Sequence, residues 1–244
     1  MNQGLLLTLF PDGIPVLVYC IALFLTLGVA YLLGSVNSAI IVSKTFYGED
    51  IRTKGSGNAG MTNMLRNYGG RAAVLTLVGD VMKTVLAVFI AGSVFGFLYV
   101  PRAVVSISYI CYLAGLFAVL GHVFPIYYNF KGGKGVLATS TVALMLSPFV
   151  FLILFAIFVL IVWTSKYVSL GSVTVAALYP VALNGYFSFC FGQGSMHGLT
   201  ALSTILLAIL IVWCHRANLQ RISQRTENKL SFGKKKKDEK SDED

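Results

Sequence analysis

The residues from 55 to 66 combine the types that bind phosphate in proteins. Glycines let consecutive backbone N–H groups converge on an anion, serine and asparagine side chains add neutral donors, and arginine adds a forked cation. No strand of a βαβ unit precedes the G-x-G-x-x-G spacing here, so a dinucleotide site is not indicated. A flexible loop with ordinary basic residues is the alternative, but it leaves the interleaved asparagines unexplained. The phosphate-binding candidates are Ser56, Gly57, Asn58, Asn63 and Arg66.

A second anion site is indicated by two lysines among three glycines just before an apolar span. The free N–H groups and the dipole of a helix N-terminus would add to the ammonium charges. A P-loop is excluded, because Tyr128 occupies its first glycine position and Gly135 follows the lysine. Lys131 could equally anchor the chain at lipid headgroups, and nearby His122 fits a structural role better than that of a base. The candidates are Lys131, Gly132, Gly133 and Lys134.

Two further segments place polar side chains at the ends of apolar spans. Ser169 and Ser172 share one helical face, where they either contact substrate or pack against a neighbouring helix. His215 and Asn218 share a face after the last span. An imidazole is suited to proton transfer near neutral pH, which makes His215 a candidate base; the alternative is an interfacial histidine that binds headgroups.

The second apolar span contains two charges of opposite sign, Asp80 and Lys83, three residues apart. Ionisable residues inside a membrane span are candidates for function. At this spacing the two side chains can also neutralise one another, so a structural ion pair is an equally good interpretation.

The composition of the chain excludes a soluble domain. Of its 244 residues, 56% are hydrophobic and 12% are charged, and the mean hydropathy is +0.76, whereas soluble domains are about a quarter charged. Fifteen of the 29 charged side chains lie in the last thirty residues, nine of them basic and six acidic. The sequence therefore predicts an all-α membrane domain over residues 1–227 and a charged, disordered cytoplasmic tail over residues 228–244.

Six apolar stretches reach the length of about 20 residues that a membrane span needs. The stretch 136–163 would make a helix of about 42 Å, longer than a hydrocarbon core of about 30 Å. Pro148 interrupts it, so we expect two short segments there and seven crossings in all. Five full spans with re-entrant pieces are the alternative. The stretches are 14–33, 72–100, 103–120, 136–163, 168–191 and 198–214.

The basic residues predict the orientation in the membrane. Lysine and arginine concentrate on the cytoplasmic side, and here they fall mainly in the first loop, in the loop before residue 136 and in the C-terminal tail. No lysine or arginine precedes the first stretch, so we expect the N-terminus outside and the C-terminus in the cytoplasm. The net charge of +9 then reflects orientation and contact with anionic lipid, and nucleic acid is not an expected partner.

Several catalytic patterns are absent from the sequence. No serine stands in G-x-S-x-G, and no histidine is followed five positions later by an acidic residue, as in many glycerolipid acyltransferases. Acidic metal clusters and C-x-x-C pairs are also missing, so we expect neither a metal nor a cofactor. A covalent intermediate is disfavoured as well, because no nucleophile has a recognisable activating base.

The polar segments, in this order, resemble those of the bacterial acyl-phosphate:glycerol-3-phosphate acyltransferases, the PlsY family. The resemblance runs from about Gly34 to Glu227. Departures are modest: Met61 stands where a smaller residue is expected, and Leu137 interrupts the usual Gly-Val-Ala-Thr. The motifs that carry the resemblance are GSGNAGMTN with Arg66, GHVFP with FKGGKGV, YVSLGS, and HRAN with Glu227.

The resemblance implies a seven-helix enzyme of the bacterial cytoplasmic (inner) membrane whose motifs face the cytoplasm. It would transfer a fatty acyl group from acyl phosphate to the 1-hydroxyl of glycerol 3-phosphate, giving lysophosphatidate and inorganic phosphate in the first step of phospholipid synthesis. His215, Asn218 and Lys134 would be its catalytic residues. The expected partners are the two substrates and membrane lipid, and the expected state is a monomer. The alternative is a transporter of a small phosphorylated anion.

Overall fold

The computed structural model of the chain describes residues 16–97, 107–192, 196 and 198–230. Within these residues the regular structure is ten α-helices and two short 3₁₀ turns. Expectations for residues 1–15, 98–106 and 231–244, including most of the predicted tail, lie outside the described residues. The helices are α1 Val16–Ser35, α2 Ser38–Tyr47, α3 Met61–Tyr68, α4 Gly70–Phe97, α5 Ile107–Val123, α6 Val136–Leu146, α7 Pro148–Ser165, α8 Val168–Phe191, α9 Gly198–Cys214 and α10 Arg216–Ser223.

Five helical segments in the described ranges are long and apolar enough to cross a membrane. A sixth crossing results if α9 and α10, which meet at a bend of 52°, form one span. Helix α6 is apolar but shorter. The all-helical, multi-pass architecture is therefore confirmed, while the number of seven crossings and the orientation of the termini stay predictions.

The predicted break at Pro148 is confirmed. Helix α6 ends at Leu146, and α7 begins with Pro148 in its first turn. Proline suits that position because a first-turn residue needs no N–H donor, whereas in a helix interior it removes a hydrogen bond and clashes with the preceding turn. Ser147 closes α6 by donating its backbone N–H to Ala143 O at 2.9 Å. The long stretch is thus two helices that change direction at residue 147.

Helices α1 and α5 cross with their backbones in contact. A Cβ atom added to Gly34 would lie 2.1 Å from Ala118 O, and one added to Gly121 would lie 2.2 Å from Tyr31 O. Small residues permit this approach, which is how apolar helices gain dispersion contacts where lipid removes the hydrophobic driving force. The crossing holds the C-terminal end of α5, and hence the loop that follows it, against α1.

Beyond this crossing, a hydrophobic core lies between helices α5, α6, α8 and α9. Its fully buried side chains include Tyr112, Leu183 and Leu207, one from each of three helices. Successive helices run in opposite directions through this bundle. The start of α6, the start of α8 and the end of α9 therefore meet at one end of the bundle. That end carries three of the predicted polar segments.

Two residues just beyond the predicted domain limit at residue 227 contact the helical bundle. Leu230 donates its N–H to Lys166 O at 2.7 Å, and the Lys229 ammonium lies 5.7 Å from the centre of the Tyr167 ring. Lys229 and Leu230 therefore contact the turn between α7 and α8, and the division of the chain into domain and tail stays a prediction. The residue types do not indicate these contacts, because they are made by a backbone N–H and a cation–π pair.

Candidate active site

A cavity of about 470 Å³ opens among the ends of α3, α6, α8, α9 and α10. Its volume is within the range of small-molecule sites, roughly 300–1,000 Å³. One part of its wall is polar and the remainder is apolar. The predicted site residues that line it are Ser56, Asn58, Asn63, Arg66, Lys134, Ser169, Ser172, His215 and Asn218.

The loop between residues 54 and 60 is shaped by the side chain of Asn63. Its Oδ1 accepts from Ser56 N at 3.1 Å, and its Nδ2 donates to Lys54 O at 3.0 Å and Asn58 O at 3.1 Å. Gly55 and Gly57 have φ of +55° and +70°, where residues with a Cβ are strained. The glycines and the asparagine together hold Ser56 and Asn58 at the cavity wall.

The expectation that Asn63 binds phosphate directly needs correction. Its amide is saturated by the loop backbone and by Asn67 Nδ2 at 3.0 Å, and the residue is 2% exposed. Gly57 is not among the cavity-lining residues, and its N–H donates to Lys54 O at 3.0 Å. Both residues therefore position the loop, while Ser56 and Asn58 line the cavity and remain the candidates for contact with a ligand.

Gly132 and Gly133 also differ from expectation. Their N–H groups donate to Val123 O and His122 O, each at 3.1 Å, so these groups are not free to bind an anion. A Cβ on Gly132 would lie 2.0 Å from His122 O, and one on Gly133 would lie 2.2 Å from His122 Nε2. The glycines are needed for this close packing. Lys131 is exposed and is not among the cavity-lining residues, which favours its interpretation as an anchor.

Lys134 points into the cavity beside the N-terminus of α6. Its ammonium group donates to Asn218 Oδ1. Gly135, at φ +78°, is the N-cap of α6, and no side chain caps the first N–H groups of the helix. Gly135, Val136 and Leu137 line the cavity. Burial lowers the pKa of Lys134 to about 8. A cation and a helix N-terminus that converge in this way form a site for a phosphate or an oxyanion.

A hydrogen-bond network orients Asn218, with Glu227 at its centre. Glu227 Oε1 accepts from Ser169 Oγ at 2.7 Å and from Asn218 Nδ2 at 2.6 Å, and its Oε2 accepts from Arg221 Nε at 2.7 Å. These donors outweigh the effect of burial and hold the pKa of Glu227 below its usual value. Asn218 is left with its Oδ1 directed at Lys134.

The two predicted serines have different surroundings. Ser169 Oγ is committed to Glu227 and also accepts from Asn218 Nδ2 at 2.9 Å, so it orients the amide. Ser172 Oγ donates to Val168 O at 2.9 Å within its own helix, and its oxygen lone pairs remain at the cavity wall. Ser172 can therefore accept, but not readily donate, a hydrogen bond.

His215 lies at the bend between α9 and α10. Its Nδ1 is 2.8 Å from Ile211 O, and since a carbonyl can only accept, Nδ1 carries the proton and Nε2 is free to accept one. The residue lines the cavity and is 4% exposed. At this 52° bend, His215 and Asn218 lie in the same cavity wall as Lys134.

Arg66 reaches the cavity mouth from α3. Its guanidinium donates to Asn228 O at 3.4 Å, a long contact that leaves its other donors available. Arg66 and Lys134 thus supply two cations to one polar region, as the binding of two phosphate groups would require.

The pair Asp80 and Lys83 is a buried ion pair that also includes His122. Lys83 Nζ lies 2.8 Å from Asp80 Oδ1, 3.0 Å from His122 Nδ1 and 2.6 Å from Val36 O. All three side chains are less than 10% exposed. This supports the structural interpretation, because Lys83 ties α4 to the ends of α1 and α5. Asp80 and His122 nevertheless reach the cavity wall.

The apolar part of the cavity lies between α7 and α8. It was not predicted in detail, because its side chains resemble any others on a membrane helix. Glu227 and Arg221 were also not predicted as site residues. They follow the last span, and only the contacts of Glu227 with Ser169, Asn218 and Arg221 connect them to the site. The apolar wall contains Ala143, Phe151, Leu154, Phe155, Phe158, Val175, Ala176 and Tyr179.

Comparisons with known proteins give a consistent result. The family described as glycerol-3-phosphate acyltransferase matches residues 24–225. Glycerol-3-phosphate acyltransferase 2 of Bacillus cereus (strain ZK / E33L) is 40% identical over 209 residues, which are 86% of this chain and 96% of the relative. Glycerol-3-phosphate acyltransferase of Clostridioides difficile (strain 630) is 39% identical over 209 residues, 85% of this chain and 94% of the relative.

Solved structures are similar as well. A crystal structure of PlsY (YgiH), an integral membrane glycerol 3-phosphate acyltransferase in its glycerol 3-phosphate form, matches with a TM-score of 0.72 at 30% identity, covering 86% of this chain and 96% of the other. The lysophosphatidic acid form of PlsY matches with a TM-score of 0.70 at 29% identity, covering 86% and 95%. The family match includes every cavity-lining residue except Glu227 and Asn228.

Proposed function

The chain belongs to the glycerol-3-phosphate acyltransferase family, and from that premise we propose that it transfers a fatty acyl group from acyl phosphate to the 1-hydroxyl of glycerol 3-phosphate. The products are lysophosphatidate and inorganic phosphate. The observation that carries this proposal is the cavity itself, in which Lys134 and Arg66 lie at the polar end of an apolar, aromatic-lined pocket. Two phosphates and one acyl chain need that combination.

The reaction is a direct acyl transfer. The 1-hydroxyl oxygen of glycerol 3-phosphate bonds to the carbonyl carbon of the acyl phosphate, the bond from that carbon to the phosphate oxygen breaks, and the hydroxyl proton leaves. In this proposal Lys134, Arg66 and the first N–H groups of α6 stabilise negative charge on the carbonyl oxygen and the departing phosphate, which the position of the two cations at the cavity supports. Asn218, oriented by Glu227, holds the Lys134 ammonium in place.

The proton acceptor is either His215 or a substrate phosphate, and the site favours the phosphate. A charge on an imidazole that is 4% exposed and shares its cavity with Lys134 would be costly. His215 Nε2 can still accept a hydrogen bond from the attacking hydroxyl and orient it. The phosphate carries the negative charge that a base at this position requires.

Replacing His215 with alanine distinguishes the two acceptors. With a phosphate as base, kcat falls by no more than about tenfold, the effect of one neutral hydrogen bond, and the pH profile of kcat keeps its shape. His215→Gln, which retains a polar group, recovers part of the loss. A fall in kcat beyond about a hundredfold with loss of the acidic limb would instead identify His215 as the general base.

The proposed placement is the cytoplasmic membrane of a bacterium, as a monomer, with the N-terminus outside and the active site facing the cytoplasm. Five candidate spans, a sixth if α9 and α10 form one span, and the short apolar helix α6 are compatible with seven crossings. Lys44, Arg52, Lys54, Arg66 and Lys134 lie at the end of the protein that holds the cavity, as expected for its cytoplasmic side. Residues 1–227 form the acyltransferase domain in this proposal, and the remaining residues form the tail.

The purified full-length protein, given palmitoyl phosphate and glycerol 3-phosphate, tests the activity. We expect release of inorganic phosphate and formation of lysophosphatidate in equal amounts, with no labelled acyl group left on the protein. Replacing palmitoyl phosphate with an acyl thioester as donor is the control for donor class. No acyl transfer, together with uptake of glycerol 3-phosphate into proteoliposomes, would contradict the proposal in favour of a carrier.

A further inference from the structure

One face of α8 runs from the polar to the apolar end of the cavity. Val168, Ser169, Ser172, Val175, Ala176 and Tyr179 line it at helical spacing. From the first to the last of these residues the helix rises about 16 Å. Ser169 and Ser172 therefore lie at the polar end, and Tyr179 marks the far end of the wall.

The facing helices reach the same depth. On α7, Phe158, Phe155 and Phe151 line the cavity, and Phe158 lies beside Gly171 of α8, near the polar end. Because α7 runs opposite to α8, Phe151 is the deepest of the three phenylalanines. Helix α6 contributes Ala143, one turn before its break at Ser147. An acyl chain that enters beside Lys134 is thus guided toward Tyr179.

Along α8, Tyr179 is the last residue that lines the cavity. The tyrosine is 2% exposed, and Leu183, one turn further along α8, is fully buried in the core. The hydroxyls of Tyr179 and Tyr112 lie near each other and near Ser147, but neither tyrosine hydroxyl is aligned for a hydrogen bond with a described residue. Methylene groups at this position would meet a rigid ring and desolvated hydroxyls instead of a continuing apolar groove.

We propose that Tyr179 determines acyl-chain specificity by closing the inner end of the cavity and so limiting the length of acyl chain that the enzyme accepts. This inference rests on the proposed function. The lining residue one turn before Tyr179 on α8 is small, Ala176, so the wall changes there from a methyl group to a phenol ring.

The test compares kcat/KM for myristoyl, palmitoyl and stearoyl phosphate in the full-length protein. We expect Tyr179→Ala to raise the stearoyl-to-myristoyl ratio at least about tenfold, since accommodating a methylene group in an apolar pocket has an effect of that size or larger. Tyr179→Phe keeps the ring and should leave the ratio within about twofold. Ala176→Leu adds bulk one turn earlier and should lower the ratio by about tenfold.

Tyr186→Ala is the matched control, because Tyr186 is on the same helix and is not among the cavity-lining residues. Unchanged ratios in both Tyr179→Ala and Ala176→Leu, in variants that still turn over, would overturn the assignment. If the wild-type protein used no acyl phosphate, the proposed function would be contradicted. The role of Tyr179 would still be testable, by measuring how the thermal stabilisation of the protein by alkyl phosphates depends on alkyl-chain length. A stabilisation profile that is the same in the wild type and Tyr179→Ala would then contradict it.

Discussion

Replacing Lys134 with methionine should lower kcat/KM for acyl transfer by about 10²–10³-fold, the usual effect of removing one preorganised donor from an oxyanion or phosphate site. The ammonium is the cation that the structure directs at the meeting point of Asn218 and the α6 N-terminus. Methionine retains the length of the side chain, so the loss should be one of charge. The measurement is phosphate release at subsaturating glycerol 3-phosphate.

Lys131→Met is the matched control for this experiment. Lys131 is in the same loop, three residues earlier, but it is exposed and is not among the residues that line the cavity. Its replacement should change kcat/KM by no more than about twofold, the size of a screened surface effect. Equal losses in the two variants would show that the loop contributes only a diffuse positive potential, contrary to the proposed role of Lys134.

The pH dependence provides an independent check on Lys134. Burial favours the neutral amine and lowers the pKa of this lysine to about 8. The group is charged below that pH and neutral above it, so kcat/KM of the wild type should fall as the pH rises through about 8. Lys134→Arg should lose this alkaline limb, because a guanidinium stays protonated. An alkaline limb that persists in the arginine variant would assign it to another group.

Replacing Lys83 with methionine should destabilise the protein by about 3–5 kcal/mol, because it leaves the Asp80 carboxylate buried without its counter-charge. Asp80 is 1% exposed and lies 2.8 Å from the Lys83 ammonium. The same substitution removes the donor to Val36 O and to His122 Nδ1, so two helix ends lose their tie to α4. Denaturant unfolding in mixed micelles measures the change.

The double variant Asp80→Asn with Lys83→Met should recover most of that stability, since replacing both members of a buried ion pair is often close to neutral. Lys44→Met serves as the surface control: Lys44 lies 3.5 Å from Asp50, its side chain is 55% exposed, and its loss should cost less than about 1 kcal/mol. A double variant as unstable as Lys83→Met would mean that the helix ties, and not the unpaired charge, account for the effect.

The sequence was informative wherever the signal was local. Apolar runs and the proline at 148 predicted the ends of α8 and α9 and the division between α6 and α7, because span length and proline geometry act on neighbouring residues. Because polar residues are scarce in this apolar chain, those that occur at the ends of spans were predicted as site residues. Lys134, His215 and Asn218 are among them, and all three line one cavity. Charge is so costly in a membrane that its few occurrences carry information.

Contacts between distant residues could not be predicted in the same way. Asn63 and the glycines at 132 and 133 were expected to face a ligand, yet they face the backbone of their own loop and of α5, which depends on how the loops pack. Glu227 became the centre of the network only because it meets Ser169, 58 positions earlier. Tyr179 gave no signal, since helices that are apolar on every side do not reveal which face lines a cavity. The residue types therefore predicted what kind of groups the site contains, because types can be read from the sequence alone. The shape of the cavity depends on which helix faces pack together, and only the tertiary structure determines that.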